Sequence, residues 1–214
     1  MKIVKIDFNF RRSKIIKEIT EELKRGKIIV YPTETFYGLG CDATNARAVK
    51  KIYQIKGRAE NKALPFLVCN LAMARKYLEF NGLAKQLAKQ YWSGPLSLVL
   101  PFNVYGRKFF KHSINSKNFD GGVRISSNKL ATLLVKKLGK PLISTSANLS
   151  NQPSTGDVPI IINYFKNKKY QPDIIIDAGK LPLSLGSTFL DARSGEIKIL
   201  RQGDLKISKK FLKL

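Results

Sequence analysis

The sequence is short of the residues that build stapled or metal-held proteins. It has two cysteines, Cys41 and Cys69, in 214 residues, so a disulfide scaffold is excluded. Two cysteines are also too few for a structural zinc site on their own. His112 is the only histidine, which excludes a His-rich metalloenzyme and leaves a Ser-His-Asp hydrolase just that one residue to use. No apolar run approaches the length of a bilayer span. The first segment, Met1 to Arg12, mixes charge with short apolar pairs and lacks the apolar core of a secretory signal. GxGxxG and GxxxxGK[ST] are both missing, so neither a dinucleotide turn nor a P-loop is supported. There is no internal repeat, no low-complexity stretch and no Pro/Gly/Ser linker to split the chain.

Acidic residues are scarce as well. Asp and Glu number 15 against 39 Lys and Arg, a formal charge of +24. A surplus of that size favours nucleic acid, nucleotides or an acidic membrane face. A lysine-rich solvated surface gives the same total, so cations inside motifs carry more information than the sum. Hydrophobic residues make up 43% and aromatics 10%, enough to bury a core, and the length favours one domain.

Patterning alternates between periods of two and 3.6. Lys2–Ile6, Lys27–Tyr31, Pro65–Cys69, Leu96–Leu100, Val123–Ile125, Leu142–Ser144, Ile174–Asp177, Ser187–Leu190 and Ile197–Leu200 read as strands. Helices are expected over Lys14–Lys24 (cap Ser13, stop Gly26), Asn45–Lys56 (stop Gly57), Leu71–Leu78, Leu83–Tyr91, Asn128–Leu138 (cap Ser127, stop Gly139) and Val158–Phe165. Interleaving from end to end predicts a mixed α/β fold, with helices packed on a sheet. The loop Gly106–Gly122 is long and polar, as a mobile flap would be. The division expected is one domain over 1–205 and a basic, peripheral tail over 206–214.

Three polar turns follow apolar strands, where layered sheets place ligands. Tyr31-Pro32-Thr33-Glu34-Thr35-Phe36-Tyr37-Gly38-Leu39-Gly40 combines two threonine hydroxyls, a carboxylate and two glycines. Lys56-Gly57-Arg58-Ala59-Glu60-Asn61-Lys62 offers three cations, which can hold phosphates or simply complement a helix C-terminus. Ser144-Thr145-Ser146-Ala147-Asn148-Leu149-Ser150 supplies four hydroxyls and an amide, able to bind carboxylate, phosphate or ribose, or to cap their own turn. Arg124, on a short strand beside Gly121-Gly122, is an odd place for a solvated cation.

In this order PTETFYGLG, KGR, Trp92-Ser93-Gly94-Pro95-Leu96, Val123-Arg124, STSANLS and Leu200-Arg201-Gln202-Gly203 resemble the YrdC-type threonylcarbamoyl-AMP synthases, in their short form. The resemblance runs from about Lys14 to Gly203; PTETFYGLG and STSANLS carry most of its specificity. It implies an α+β, three-layer fold with a mixed twisted sheet and a basic cleft. It implies a reaction in which L-threonine, bicarbonate and ATP, with Mg2+ bridging the phosphates, give threonylcarbamoyl-adenylate and pyrophosphate. The product would feed tRNA modification by a separate threonylcarbamoyl transferase complex, in the cytoplasm, with weak tRNA affinity and no membrane partner.

Carried over residue by residue, Thr35, Arg124, Ser144 and Ser187 would hold threonine, with the Leu67 backbone. Lys56, Arg58 and Lys62 would take the ATP phosphates, Lys56 and Arg58 catalytically. Ser146, Asn148, Ser154 and Arg201 would line the nucleotide side, with the Asp120 backbone. Ala59 and Ser126 stand where the family commonly has proline, and Ser93 departs from a Trp-Pro-Gly-Pro-like turn. Two other functions fit parts of the pattern. A non-catalytic RNA-binding module would use the charge but not the hydroxyls at strand ends. A relative that carbamoylates another acceptor, as in hydrogenase maturation, would need zinc-finger regions that two cysteines cannot supply.

Overall fold

The structure, a computed structural model, describes residues 1–6, 12–111, 113 and 120–211. It is built from two mixed sheets and, among the described residues, seven α-helices. The first sheet has the order β1 (Lys2–Lys5), β9 (Ile174–Asp177), β2 (Ile29–Pro32), β3 (Tyr37–Gly40), β8 (Thr145–Ser146). The second has the order β11 (Lys198–Arg201), β10 (Thr188–Asp191), β5 (Leu96–Pro101), β6 (Asp120–Arg124), β4 (Phe66–Leu67), β7 (Leu142–Ile143). The mixed α/β architecture is as expected. The sheet is divided in two because the chain changes sheets between Ile143 and Thr145: β7 pairs with β4, and β8 with β3.

The first sheet is apolar on both faces, and its period-two pattern sorts residues between two cores. Ile28 and Val30 enter the larger cluster, while Ile29 and Tyr31 enter the smaller one. Ile175 and its neighbours Ile174 and Ile176 divide in the same way. The smaller core is closed by α1 (Arg12–Lys24), through Ile16, Ile19 and Leu23, and by α6 (Lys129–Leu138), through Leu130, Leu134 and Leu138. The larger core takes the apolar stripes of α2 (Ala46–Lys56), α4 (Gly82–Tyr91) and α7 (Val158–Phe165). An aromatic cluster, Phe66, Phe102 and Phe110, fills it beneath α3 (Leu71–Tyr77) and α5 (Val104–Phe110).

Helix ends follow local chemistry, with two differences from expectation. Gly57 and Gly139 adopt φ of 61° and 70° and close α2 and α6, as their positions predict. The cap of α6 is Asn128, not Ser127: its Oδ1 accepts from Leu130 N and Ala131 N at 3.0 and 3.2 Å. Ser13 lies inside α1, which begins at Arg12, and so does not cap it. The segment Gly106–Gly122 is only partly a loop. Helix α5 runs to Phe110 and β6 begins at Asp120; His112 and residues 114–119 of the expected flap lie outside the described residues. Beyond Lys206 the chain stays on the body: Ile207 and Phe211 are buried, and Ser208 N donates to Tyr91 Oη.

Candidate active site

The two most specific motifs become neighbouring strands. β2 and β3 pair antiparallel around the four-residue loop Thr33–Phe36, so the second half of PTETFYGLG is strand rather than turn. The start of STSANLS is likewise strand: Gly38 pairs with Ser146 and Leu39 with Thr145. The glycines allow this crowding. The Tyr31 ring lies across Gly38, and a Cβ on Gly40 would come 2.2 Å from the Ile143 carbonyl oxygen. Full burial raises the Tyr31 phenol well above its ordinary value, so it is a neutral donor, aimed at the Ile143 carbonyl.

A cavity of about 260 Å3 opens where the two sheets diverge. Thr33, Thr35, Phe36, Tyr37 and Gly38 form its first wall, and Ser144, Thr145, Ser146 and Ser154 its second. Arg58, Pro65, Phe66, Leu67 and Arg124 form the third; Ser97, Gly186, Ser187, Phe189 and Arg201 close it. Nine of the expected site residues meet here: Thr35, Arg58, Leu67, Arg124, Ser144, Ser146, Ser154, Ser187 and Arg201. They come from six separate stretches of chain.

Each cation is held differently. Arg124 is buried, and its Nη1 donates to Glu34 Oε1 at 2.7 Å; the other Glu34 oxygen accepts from Ser126 Oγ. Ser126, one of the departures from the family pattern, therefore builds the site rather than loosening it. Arg58 donates through Nη2 to the Ala63 carbonyl at 3.2 Å, while its Nε is buried without a hydrogen-bond partner. Such an orphan donor in a cavity wall suits an anionic ligand. Arg201 lies over the Phe189 ring at 4.8 Å and donates to the Ser187 carbonyl and hydroxyl. Partial burial, and then the Arg124 charge, push its guanidinium down from the ordinary value.

The hydroxyls are polarised in opposite senses. Thr33 Oγ1 donates to the Phe36 carbonyl at 2.6 Å, so it can only accept from Thr35 Oγ1, 3.1 Å away. That leaves the Thr35 oxygen with lone pairs to accept from a ligand. Ser187 Oγ already accepts from Ser97 Oγ at 3.1 Å and from Arg201 at 3.0 Å, leaving its own proton to donate.

Four expected residues do not line the cavity. Lys56 is only 3% exposed, and its Nζ donates to Ser146 O, Asn148 O and Asn148 Oδ1 at 2.6, 2.9 and 2.8 Å. Burial, and then the Arg58 charge, lower its ammonium to about 7. Asn148 is spent on Lys56, Ser146 and the Gln152 carbonyl. Lys62 is exposed on the loop after α2. Asp120 is ion-paired with Arg193 at 2.6 Å, at the far end of β6 from Arg124, about 13 Å away at the rise of a strand. Sequence reasoning had noted Glu34 without giving it a role, and missed Ser97 and Phe189. A carboxylate between two threonines was the available signal for the first; Ser97 and Phe189 reach the cavity only through the pairing of β5 with β10.

The sequence profile of the Sua5/YciO/YrdC family, described as "Telomere recombination", matches residues 21–203. The chain belongs to this family. A Pyrococcus abyssi relative named threonylcarbamoyl-AMP synthase is 31% identical over 191 residues, which cover 86% of this chain and 53% of that protein. A Methanocaldococcus jannaschii relative is 33% identical over 199 residues, 92% of this chain and 90% of its own. The solved structure of P. abyssi Sua5 complexed with L-threonine superimposes with a TM-score of 0.84 at 28% identity, over 96% of this chain and 58% of that one. The chain thus spans little more than half of the P. abyssi member. The family match takes in both paired motifs and every cavity-lining residue.

Proposed function

We propose that this protein is a threonylcarbamoyl-AMP synthase. The observation that carries the reading is the antiparallel pairing of PTETFYGLG with STSANLS over a cavity that also gathers Arg58, Arg124 and Arg201. Relatives bearing the synthase name, and a family structure solved with L-threonine, support it.

The chemistry asks for placement and charge more than for acid–base groups. The threonine amine adds to the bicarbonate carbon with loss of water. A carbamate oxygen then bonds to the α-phosphorus of ATP as the α–β bridging P–O bond breaks, and pyrophosphate leaves with the electron pair. In this reading Arg124, oriented by Glu34, receives the threonine carboxylate; Thr35 accepts from its amine or hydroxyl. Ser187 donates to the same substrate, and Ser144 and the Leu67 backbone close the pocket. Arg58, with its unpartnered Nε, meets the phosphates; Ser146, Ser154 and Arg201 face the nucleotide.

Among the described residues no group of three or more His, Cys, Asp or Glu side chains gathers to hold a metal. This cationic donor set suits phosphates rather than a protein metal cage, so Mg2+ would come in as part of the ATP substrate and supply charge neutralisation beside Arg58. No described helix is long and apolar enough to cross a membrane. The adenylate is a labile mixed anhydride, and a separate transferase acting on tRNA in the cytoplasm would consume it. The deciding experiment is pyrophosphate release, with the adenylate identified by mass. Release that requires threonine, bicarbonate and ATP together is expected; release indifferent to threonine, or none, overturns the reading.

A further inference from the structure

Lys56 raises a separate question, because its surroundings are those of a bound ion rather than of a ligand-binding side chain. Three donors are all that an ammonium has, and all three are taken, by two backbone carbonyls and one side-chain carbonyl of segment 144–150. The Lys56 backbone holds the same segment from the other side, accepting from Ser150 N at 2.9 Å. Among the described residues no carboxylate pairs with it, and carbonyl dipoles offset the buried charge. A phosphate ligand would have to break one of these bonds to recruit Lys56, whereas Arg58 offers an unused donor two residues away.

We propose that Lys56 is a positioning residue: its ammonium serves as an internal cation that fixes segment 144–150, and so the Ser144 and Ser146 hydroxyls, without touching the phosphates. This rests on the synthase reading for its catalytic consequence but not for the clamp itself. Three observations support it: the saturated donors, the near-complete burial, and the absence of Lys56 from the cavity wall. Burial and the Arg58 charge press the ammonium toward its neutral form, and the three carbonyl acceptors are what oppose that loss of charge.

The test separates clamp from ligand. Amide hydrogen exchange over residues 144–150 is measured in the wild type and in Lys56→Met without any nucleotide. Clamping predicts exchange faster by at least about tenfold in the variant, the loss of one charge-assisted hydrogen bond or more. In turnover, kcat should fall more than ATP affinity, since the nucleotide retains Arg58. Wild-type protection of 144–150 together with a selective loss of ATP affinity would overturn the proposal. Should Lys56→Met not fold, reductive methylation of the wild type serves instead. Lys56 is expected to stay unmodified with and without ATP; modification in the free protein that ATP prevents would make it a phosphate ligand. A wild type that releases no pyrophosphate would sink the synthase reading and leave the exchange result standing.

Discussion

Two basic regions of the molecule look alike in composition and differ in construction. One is the cavity between the sheets. The other is an open groove along α1 and the segment leading into β9, lined by Lys2, Lys14, Lys17, Arg25, Lys27, Lys168 and Lys169. In the groove the cations are exposed and share the surface with Glu18, Glu21, Glu22 and Asp173; Arg25 and Lys27 are already paired with Glu22 and Asp173. In the cavity the cations are arginines, fixed by carbonyls, a carboxylate and an aromatic ring, and one keeps a buried donor without a partner. A total of +24 does not distinguish the two; what distinguishes them is what holds each charge in place.

The sharpest test of that contrast is substrate choice in the cavity. A buried site built on Thr35 and Ser187 should accept serine, which lacks only a methyl group, within about 10–200-fold of threonine. Valine, which leaves those hydroxyls unpaired, should fall by up to about 10⁴-fold in kcat/KM for pyrophosphate release. Equal rates for all three amino acids would mean that the threonine pocket lies elsewhere. Next in size is the loss of a cavity cation. Arg58→Ala should lower kcat by about 10²–10³-fold with the fold retained, as measured by single-turnover adenylate formation. Arg124→Lys, which keeps charge but loses the fork, should raise the KM for threonine more than that for ATP.

Stability offers a smaller effect of a different kind. Gly40→Ala drives a methyl group into the Ile143 carbonyl where β3 meets β7, and should cost about 1–3 kcal/mol in urea unfolding. The buried ammonium adds a pH signature. Lys56 titrates near 7 in the folded chain, below its unfolded value, so the unfolded chain binds more protons between those two values. Wild-type stability should therefore rise with pH from about 7 to about 10 relative to Lys56→Met, read as the urea midpoint. A flat difference would mean that the Lys56 ammonium is not lowered in the folded chain. The groove should give the smallest effect. Lys14→Glu with Lys17→Glu should change turnover negligibly and stability by under about 0.5 kcal/mol, as read by pyrophosphate release and the urea midpoint.

Much of this was legible because local chemistry and tertiary contact agree. The expected helices after Asn45, Asn70 and Asn81 start with side chains that accept from their own first turns, and the stops at Gly57 and Gly139 need left-handed backbone, whereas the helix after Asn103 lies largely in a segment that reads as loop. The residues brought to the cavity were legible through motif likeness, not through periodicity. What remained hidden depends on pairing across long separations. Nothing local says that Thr145 and Ser146 extend along β3, or that Arg124 finds Glu34 ninety residues away. Lys56 and Lys62 looked equivalent in one basic cluster; only the fold separates a buried ammonium from a solvated one.

The change of sheet at Ser144 also limits how the cavity can open. Ile143 is stitched to β4 and Thr145 to β3, so a single residue of chain spans the seam at the base of the cavity. The sheets cannot part there without tearing both pairings, so whatever widens the cavity must leave Ser144 tied to both of its neighbours.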